Sequence, residues 1–222
     1  MEISGSILLK NCPSKMRTAI KKSLQIKNPT YEQAIRANQK ARYTISEYIR
    51  YYEEDKRTGT LTIGRGCESA VRTYAGRCDL PIEGYDLRLE RQVRVPLTTT
   101  ITLRDYQSGV VDGIVARDNG LARLDTGFGK TIIGIKVIER LQQKTLIIVP
   151  SLDLLNQWTN ELREWTNHKT IGVIQGTNFV DADITVATIQ SVEKAIATNR
   201  IRGEDYGLVL VDECHAFVTD KR

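Results

Sequence analysis

Histidine is nearly absent from this chain. Only His168 and His215 occur in 222 residues, and none of the four cysteines, at 12, 67, 78 and 214, forms a C-x-x-C pair. A zinc module is therefore not expected, and the thiols are read as reduced cysteines of a cytosolic protein. Long apolar runs are missing too. The longest, "LIIV" at 146–149 and "LVLV" at 208–211, fall far short of the roughly 20 residues that a membrane-spanning helix needs. The N-terminus offers only "ILL" as an apolar core, with Glu2 before it, so no secretory signal is expected. No internal repeat or low-complexity tract occurs. What is left is an ordinary globular composition, 41% hydrophobic and 27% charged, with length for one large domain or two small ones.

Acidic charge is scarce in the first part alone. Residues 1–97 hold 18 Lys and Arg against 11 Asp and Glu, net +7, and residues 98–222 hold 14 against 16, net −2. A basic excess confined to one half points to a polyanion partner there, with a merely solvated basic surface as the other reading.

The two parts also differ in pattern. In 98–222, strand-like and helix-like stretches alternate. "DYQSGVVDGIVARDN" (105–119), "TIIGIKVIERLQQK" (131–144) and "LDLLNQWTNELREW" (152–165) have helical spacing. "GLARLD" (120–125), "TLIIVP" (145–150), "TIGVIQ" (170–175), "ITVATI" (184–189) and "YGLVLVDE" (206–213) read as strands. Unbroken β-branched runs between helices imply a parallel sheet buried on both faces, a RecA-like α/β architecture. Residues 1–97 read instead as a small α+β unit. It has a strand in "EISGSILLKN", helices from "PSKMRTAIKKSLQI" and "PTYEQAIRANQKAR", and "EYIRYYEED" and "GTLTIG" flanking a polar turn at 55–59. "RVPLTTTIT" (94–102) reads as the connector, which places the domains at 1–97 and 98–222.

"DTGFGKT" (125–131) ends like a phosphate-binding loop. Such a loop converges backbone N–H groups on a polyanion, with a helix N-terminus behind them. The usual glycine six residues before the lysine is Leu124 here. Gly127 and Gly129 lie inside the loop, and Leu124 lies where a side chain can pack inward, so the cradle of Thr126, Gly127, Phe128, Gly129, Lys130 and Thr131 is expected to hold. Lys130 would reach the β- and γ-phosphates of ATP, and the Thr131 hydroxyl would ligate Mg²⁺. Farther on, "LVLVDECHAF" (208–217) delivers Asp212 and Glu213 at a strand end, where an α/β site places its chemistry. Asp212 would hold Mg²⁺ through water and Glu213 would polarise the attacking water.

Together, "DTGFGKT" and "DECH" resemble motifs I and II of superfamily 2 helicases, which tolerate a non-glycine residue at the Leu124 position. "LRDYQ" (103–107) resembles the adenine-recognising element upstream of motif I, which implies that Gln107 reads the adenine edge and Arg104 flanks the base. "IIVPSLDLLNQW" (147–158) resembles motif Ia, and "ITVATIQSV" (184–192) resembles the next DNA-contacting segment of XPB-like and UvsW-like members. Pro150, Ser151, Thr188 and Gln190 are then expected to contact DNA. "YIRYYEEDKRTGTLTIGRGCESAV" (48–71) resembles the small domain preceding the motor in that subgroup, with Gly64 where proline is usual. Arg65 and Arg72 are the basic contacts expected there, with a solvated helix face as the alternative.

The resemblance implies an ATP- and Mg²⁺-dependent DNA helicase or translocase acting on branched DNA, monomeric, with no membrane partner. Its expected place is a bacterial or phage-infected cytosol. It also implies that this chain is the N-terminal part of a longer helicase. A restriction-type motor subunit and a DNA-binding module with a silent ATPase are the alternative readings.

Overall fold

Residues 1–3, 6–37, 45–86 and 94–217 are described by the computed structural model. The chain divides into two compact units, Met1–Leu89 and Glu90–Arg222.

Period-two alternation builds the first unit. Its elements in order are β1 (Glu2–Ile3), β2 (Ser6–Leu9), α1 (Ser14–Ser23), β3 (Gln25–Lys27), α2 (Pro29–Arg36), β4 (Tyr48–Arg50), β5 (Tyr52–Asp55), β6 (Thr60–Gly64), α3 (Glu68–Arg77) and β7 (Tyr85–Asp86). β2 buries Ile7 and Leu9, and β6 buries Leu61 and Ile63. The two strands pair antiparallel with Ile7 opposite Ile63 and Leu9 opposite Leu61, so one face of the sheet is apolar. The sheet order is β5-β6-β2-β1-β7. Met16 and Ile20 of α1 and Val71 and Ala75 of α3 cover that face. The segment expected as one strand over 2–11 is two, since β1 pairs antiparallel with β2. The start of α2 is fixed by Asn28, whose side chain accepts the Thr30 N–H at 3.0 Å, with Pro29 at the first helical position, where its missing N–H costs nothing.

The second unit contains α4 (Asp105–Val115), α5 (Lys130–Leu141), β8 (Thr145–Val149), α6 (Leu152–Trp165), β9 (Gly172–Gln175), β10 (Asn178–Val180), β11 (Ile184–Thr188), α7 (Ile189–Ala197) and β12 (Leu208–Val211). The sheet order is β10-β9-β11-β8-β12. β9, β11, β8 and β12 run parallel, and β10 is the antiparallel edge. β8 and β11 are buried along their whole length. On one face Ile147 and Val149 of β8 meet Ile135 and Ile138 of α5 and Leu155, Trp158 and Leu162 of α6. On the other, Leu146 and Ile148 meet Val192 and Ala195 of α7. The sheet is therefore covered on both sides, the RecA-like α/β arrangement that the sequence pattern implies. α4 packs against α5 through Val111, Ile133 and Val137.

Three local expectations need correction. "GLARLD" (120–125) forms no strand. Leu124 packs against the α4–α5 cluster while Leu121 stays exposed. Among the described residues β12 is an edge strand rather than a doubly buried one. Leu208 and Leu210 face the core, but Val209 and Val211 remain 44% and 45% exposed. The segment 94–102 is not a free connector: Val95 and Leu97 are fully buried. The Val95 N–H donates to Gln142 O, and the Thr100 N–H to Trp165 O. These residues belong to the second unit, whose core they help to close, so the boundary lies before them rather than after Leu97.

Candidate nucleotide site

Two glycines shape the loop before α5. Gly127 and Gly129 both have φ of +82°, a conformation that an L side chain adopts only with strain. Gly129 has a second constraint, because a Cβ there would lie 2.6 Å from the Gln107 amide nitrogen. Gly129 is also the N-cap residue of α5. Its unsatisfied first-turn N–H groups and the positive end of the helix dipole face the loop, an arrangement suited to anions. Thr126 and Gly127 are exposed, Phe128, Gly129 and Lys130 half-buried, and Thr131 buried.

The motif residues converge from distant parts of the chain. Lys130 Nζ lies 3.1 Å from Glu213 Oε1, and His215 Nδ1 lies 3.2 Å from the other carboxylate oxygen. The Asp212 N–H donates to Ile148 O at 3.0 Å, which extends the β8–β12 ladder and fixes where the carboxylates emerge. Both Asp212 oxygens are held. Oδ1 accepts the Glu213 N–H at 2.8 Å, and Oδ2 accepts the Trp158 indole N–H at 2.9 Å. Glu213 itself has φ of +47°, a left-handed conformation that is costly for a non-glycine residue and concentrates at functional sites.

Gln107 is 5% exposed, and both ends of its amide are engaged. Its oxygen accepts the Arg104 N–H at 3.0 Å, closing the first turn of α4, and its nitrogen donates to Phe128 O at 3.0 Å. In this conformation Gln107 ties the phosphate loop to α4, leaving one amide hydrogen and one lone pair for a base edge. Arg104 Nη1 donates to the Tyr106 hydroxyl at 2.9 Å. The Tyr106 and Phe128 rings lie 4.6 Å apart at 59°, with Tyr106 45% exposed. Such a half-open aromatic pair beside Gln107 can stack a planar base. Tyr106 and Trp158 were not singled out by sequence; each lies inside a quoted motif, but its contact is visible only in three dimensions.

The residues expected to touch nucleic acid fall in two places. Pro150 and Ser151 follow β8, Thr188 closes β11 and Gln190 sits in the first turn of α7, so all four lie at the C-terminal edge of the parallel sheet with Asp212 and Glu213. The Ser151 hydroxyl accepts the Leu154 N–H at 3.3 Å and caps α6. The Thr188 hydroxyl donates to Ser191 Oγ at 2.9 Å. In the other unit, Arg65 lies in a 3₁₀ turn after β6, its side chain outside the described residues. The Arg72 Nε donates to Glu68 at 2.9 Å, so its charge is shared rather than free.

Among the described residues no group of three or more His, Cys, Asp or Glu could hold a metal ion. One hydroxyl, Thr131, and one carboxylate, Asp212, are hard oxygen ligands too few for a permanent cage. They suit Mg²⁺, which keeps waters and is shared with substrate phosphates.

Comparison with known proteins agrees with this geometry. Residues 100–222 match the family described as Type III restriction enzyme, res subunit. The chain is 33% identical over 182 residues to the DNA 3'-5' translocase XPB2 of Sulfurisphaera tokodaii, covering 76% of this chain and 40% of that protein. It is 31% identical over 125 residues to the DNA 3'-5' helicase XPB of Mycobacterium tuberculosis, covering 51% and 22%. The chain thus spans less than half the length of these relatives. The crystal structure of the UvsW helicase from bacteriophage T4 shares the fold, with a TM-score of 0.64 at 18% identity, covering 99% of this chain and 84% of that one. A family model matching more than half the chain, with the phosphate loop and the acidic strand end brought together in one site, places the protein: the chain belongs to the Type III restriction enzyme res-subunit family and is similar to helicases of the XPB kind.

Proposed function

We propose that this chain binds Mg²⁺-ATP at the Gly127–Thr131 loop and supplies the nucleotide half of an ATP-dependent DNA helicase or translocase that remodels branched DNA. The observation carrying this reading is the 3.1 Å approach of Lys130 and Glu213 across 83 residues of sequence. A lysine and a glutamate half-exposed at the mouth of a phosphate loop hold each other until a polyanion displaces the carboxylate. Lys130 then neutralises phosphate charge, and the released Glu213 is placed to orient and deprotonate water. His215, against the other Glu213 oxygen, holds that carboxylate at the rim. Tyr106 and Phe128 stack the base, Gln107 reads its edge and Arg104 flanks it. Thr131 and Asp212 would hold Mg²⁺, which when bound neutralises developing phosphate charge. DNA is engaged through phosphates by the basic residues of unit Met1–Leu89, among them Arg65 and Arg72, and by Pro150, Ser151, Thr188 and Gln190.

A calorimetric titration with ADP and with a non-hydrolysable ATP analogue tests the site. Glu213→Gln keeps nucleotide affinity, because it preserves shape, and lowers any hydrolysis by about 10²–10⁴-fold. Asp212→Asn instead weakens magnesium-dependent binding. Equal behaviour of the two variants would remove the proposed division of roles. The matched family's description favours a second reading, a motor subunit of a restriction complex. ATP-dependent cleavage of DNA by a complex containing this protein decides for it, and unwinding of a replication-fork substrate decides for the first.

A further inference from the structure

Trp158 lies outside the motif residues usually assigned to nucleotide chemistry, yet it touches one of them. It projects from the buried face of α6 together with Leu155, Thr159 and Leu162 and is only 3% exposed. An indole N–H is a donor without an acceptor function, and when buried it needs a partner. Its partner here is the Oδ2 of Asp212, 54 residues away, at 2.9 Å.

The indole has a prepared seat. Gly134, in the middle of α5, faces it so closely that a Cβ would lie 2.5 Å from Trp158 Cη2. A glycine inside a helix weakens that helix relative to alanine, and here it makes room for the ring. The seat is therefore on the helix that begins with Lys130 and carries Thr131. The preceding side chain on α6 repeats the relationship at longer range: Gln157 Nε2 lies 3.5 Å from the Thr131 hydroxyl and also donates to Glu161 at 2.8 Å. Two consecutive α6 residues thus touch the two oxygen donors expected to hold Mg²⁺.

We infer that Trp158 is a positioning residue. Its N–H fixes the rotamer of Asp212 so that the carboxylate presents its remaining lone pairs to the Mg²⁺-nucleotide. The Glu213 N–H clamps Oδ1 and the indole clamps Oδ2, so the carboxylate plane is set by two donors on rigid frames. A hydrogen bond from an N–H to an ionised carboxylate is short and strong, and partners of this kind orient the ligands they hold. Packing alone would not require the nitrogen, since a phenyl ring fills most of the same volume. This inference rests on the nucleotide reading above.

Trp158→Phe in the 222-residue chain removes the N–H and keeps an aromatic ring. ADP binding is measured across a magnesium series and again in EDTA. The magnesium concentration for half-maximal binding should rise about tenfold, with binding in EDTA unchanged. Gly134→Ala is the second variant. It retains the indole but displaces it, and should produce the same magnesium shift while alanine favours the helix. A role in packing alone would lower the melting temperature and leave the magnesium dependence where it was. In an Asp212→Asn background, Trp158→Phe should add no further shift. A ligand-free readout uses Trp165→Phe, which leaves Trp158 as the single tryptophan. Adding Asp212→Asn should then shift its emission to the blue, because excitation moves electron density away from the indole nitrogen and the carboxylate stabilises that. Wild-type magnesium dependence in Trp158→Phe, or an emission unmoved by Asp212→Asn, overturns the inference alone. No ADP binding by the wild-type chain overturns the nucleotide reading and this inference with it.

Discussion

Lys130 Nζ and Glu213 Oε1 meet at 3.1 Å across 83 residues of sequence, and each side chain keeps about a third of its surface exposed. An ion pair of that exposure adds less than about 1 kcal/mol to stability. Its location matters more than its strength, because phosphate oxygens would compete with the carboxylate for the same ammonium. Lys130→Ala is therefore expected to leave the circular dichroism spectrum and melting temperature close to wild type, within about two degrees. ADP affinity should fall by at least about tenfold. Unchanged affinity in the titration would show that the loop does not hold phosphate.

The two loop glycines separate backbone conformation from space. Gly127 and Gly129 share φ of +82°, but only Gly129 has a neighbour, Gln107 Nε2, where a Cβ would stand. Gly127→Ala bears the left-handed strain alone, about 1–2 kcal/mol. Gly129→Ala bears that strain and also displaces the Gln107 amide, which ties Phe128 to α4. Nucleotide affinity should fall further in Gly129→Ala than in Gly127→Ala, and Gln107→Ala should reproduce part of the difference. Equal losses, measured by titration, would mean that the Gln107 tie is not part of the site.

Those residues also show what the sequence makes legible. The phosphate loop and the acidic strand end are local patterns, each readable within a few positions, and periodicity placed the helices bearing them. Pairing is not local. "GLARLD" has the composition of a strand, yet strand formation depends on a hydrogen-bonded neighbour, and among the described residues the sheet ends at β12. For the same reason "LVLV" reads as doubly buried, while the edge position of β12 exposes Val209 and Val211. The connector reading of 94–102 failed because polar threonines conceal Val95 and Leu97, which fill the core of the second unit. Trp158 escaped notice because a tryptophan on an amphipathic helix reads as core, and its polar end finds Asp212 only through the fold.

Acid stability of the second unit should depend on Glu139. Burial pushes its carboxyl up, but the Lys136 ammonium and the N–H of Thr99 outweigh burial, so its pKa lies below the ordinary 4.5. The Thr99 N–H donates to it at 2.7 Å, and Lys136 is its ion-pair partner. A group whose folded pKa is depressed contributes stability that is fully present above the unfolded value. That stability is lost as pH falls through the folded one. Glu139→Gln should then lower the melting temperature by a few degrees at neutral pH, about 1 kcal/mol. The difference from wild type should shrink below about pH 4.5. A difference independent of pH down to strongly acidic conditions would assign the effect to packing instead.

Nucleic-acid binding by the first unit should follow the placement of charge rather than its total. Residues 1–89 hold 16 Lys and Arg against 10 Asp and Glu, net +6, but several cations are already engaged. Arg72 is paired with Glu68, Lys21 with Glu54, Lys27 with Glu32 and Arg57 with Asp55. Lys15 and Lys22 are exposed and stand seven residues apart, on one side of α1, away from its buried Met16 and Ile20. A phosphate backbone is attracted most by cations that need not first leave a carboxylate. Lys15→Glu with Lys22→Glu should therefore weaken binding to a branched oligonucleotide more than Arg72→Glu does, and should lower the slope of log affinity against log salt by about 2. Wild-type affinity itself should fall at least about tenfold between roughly 50 and 200 mM salt, as counterion release loses its drive. Fluorescence anisotropy across a salt series measures all three chains. If Arg72→Glu proves the more damaging, the α3 face is the contact surface and α1 is a solvated helix; if none of the chains shows salt dependence, the basic excess of this unit serves no polyanion.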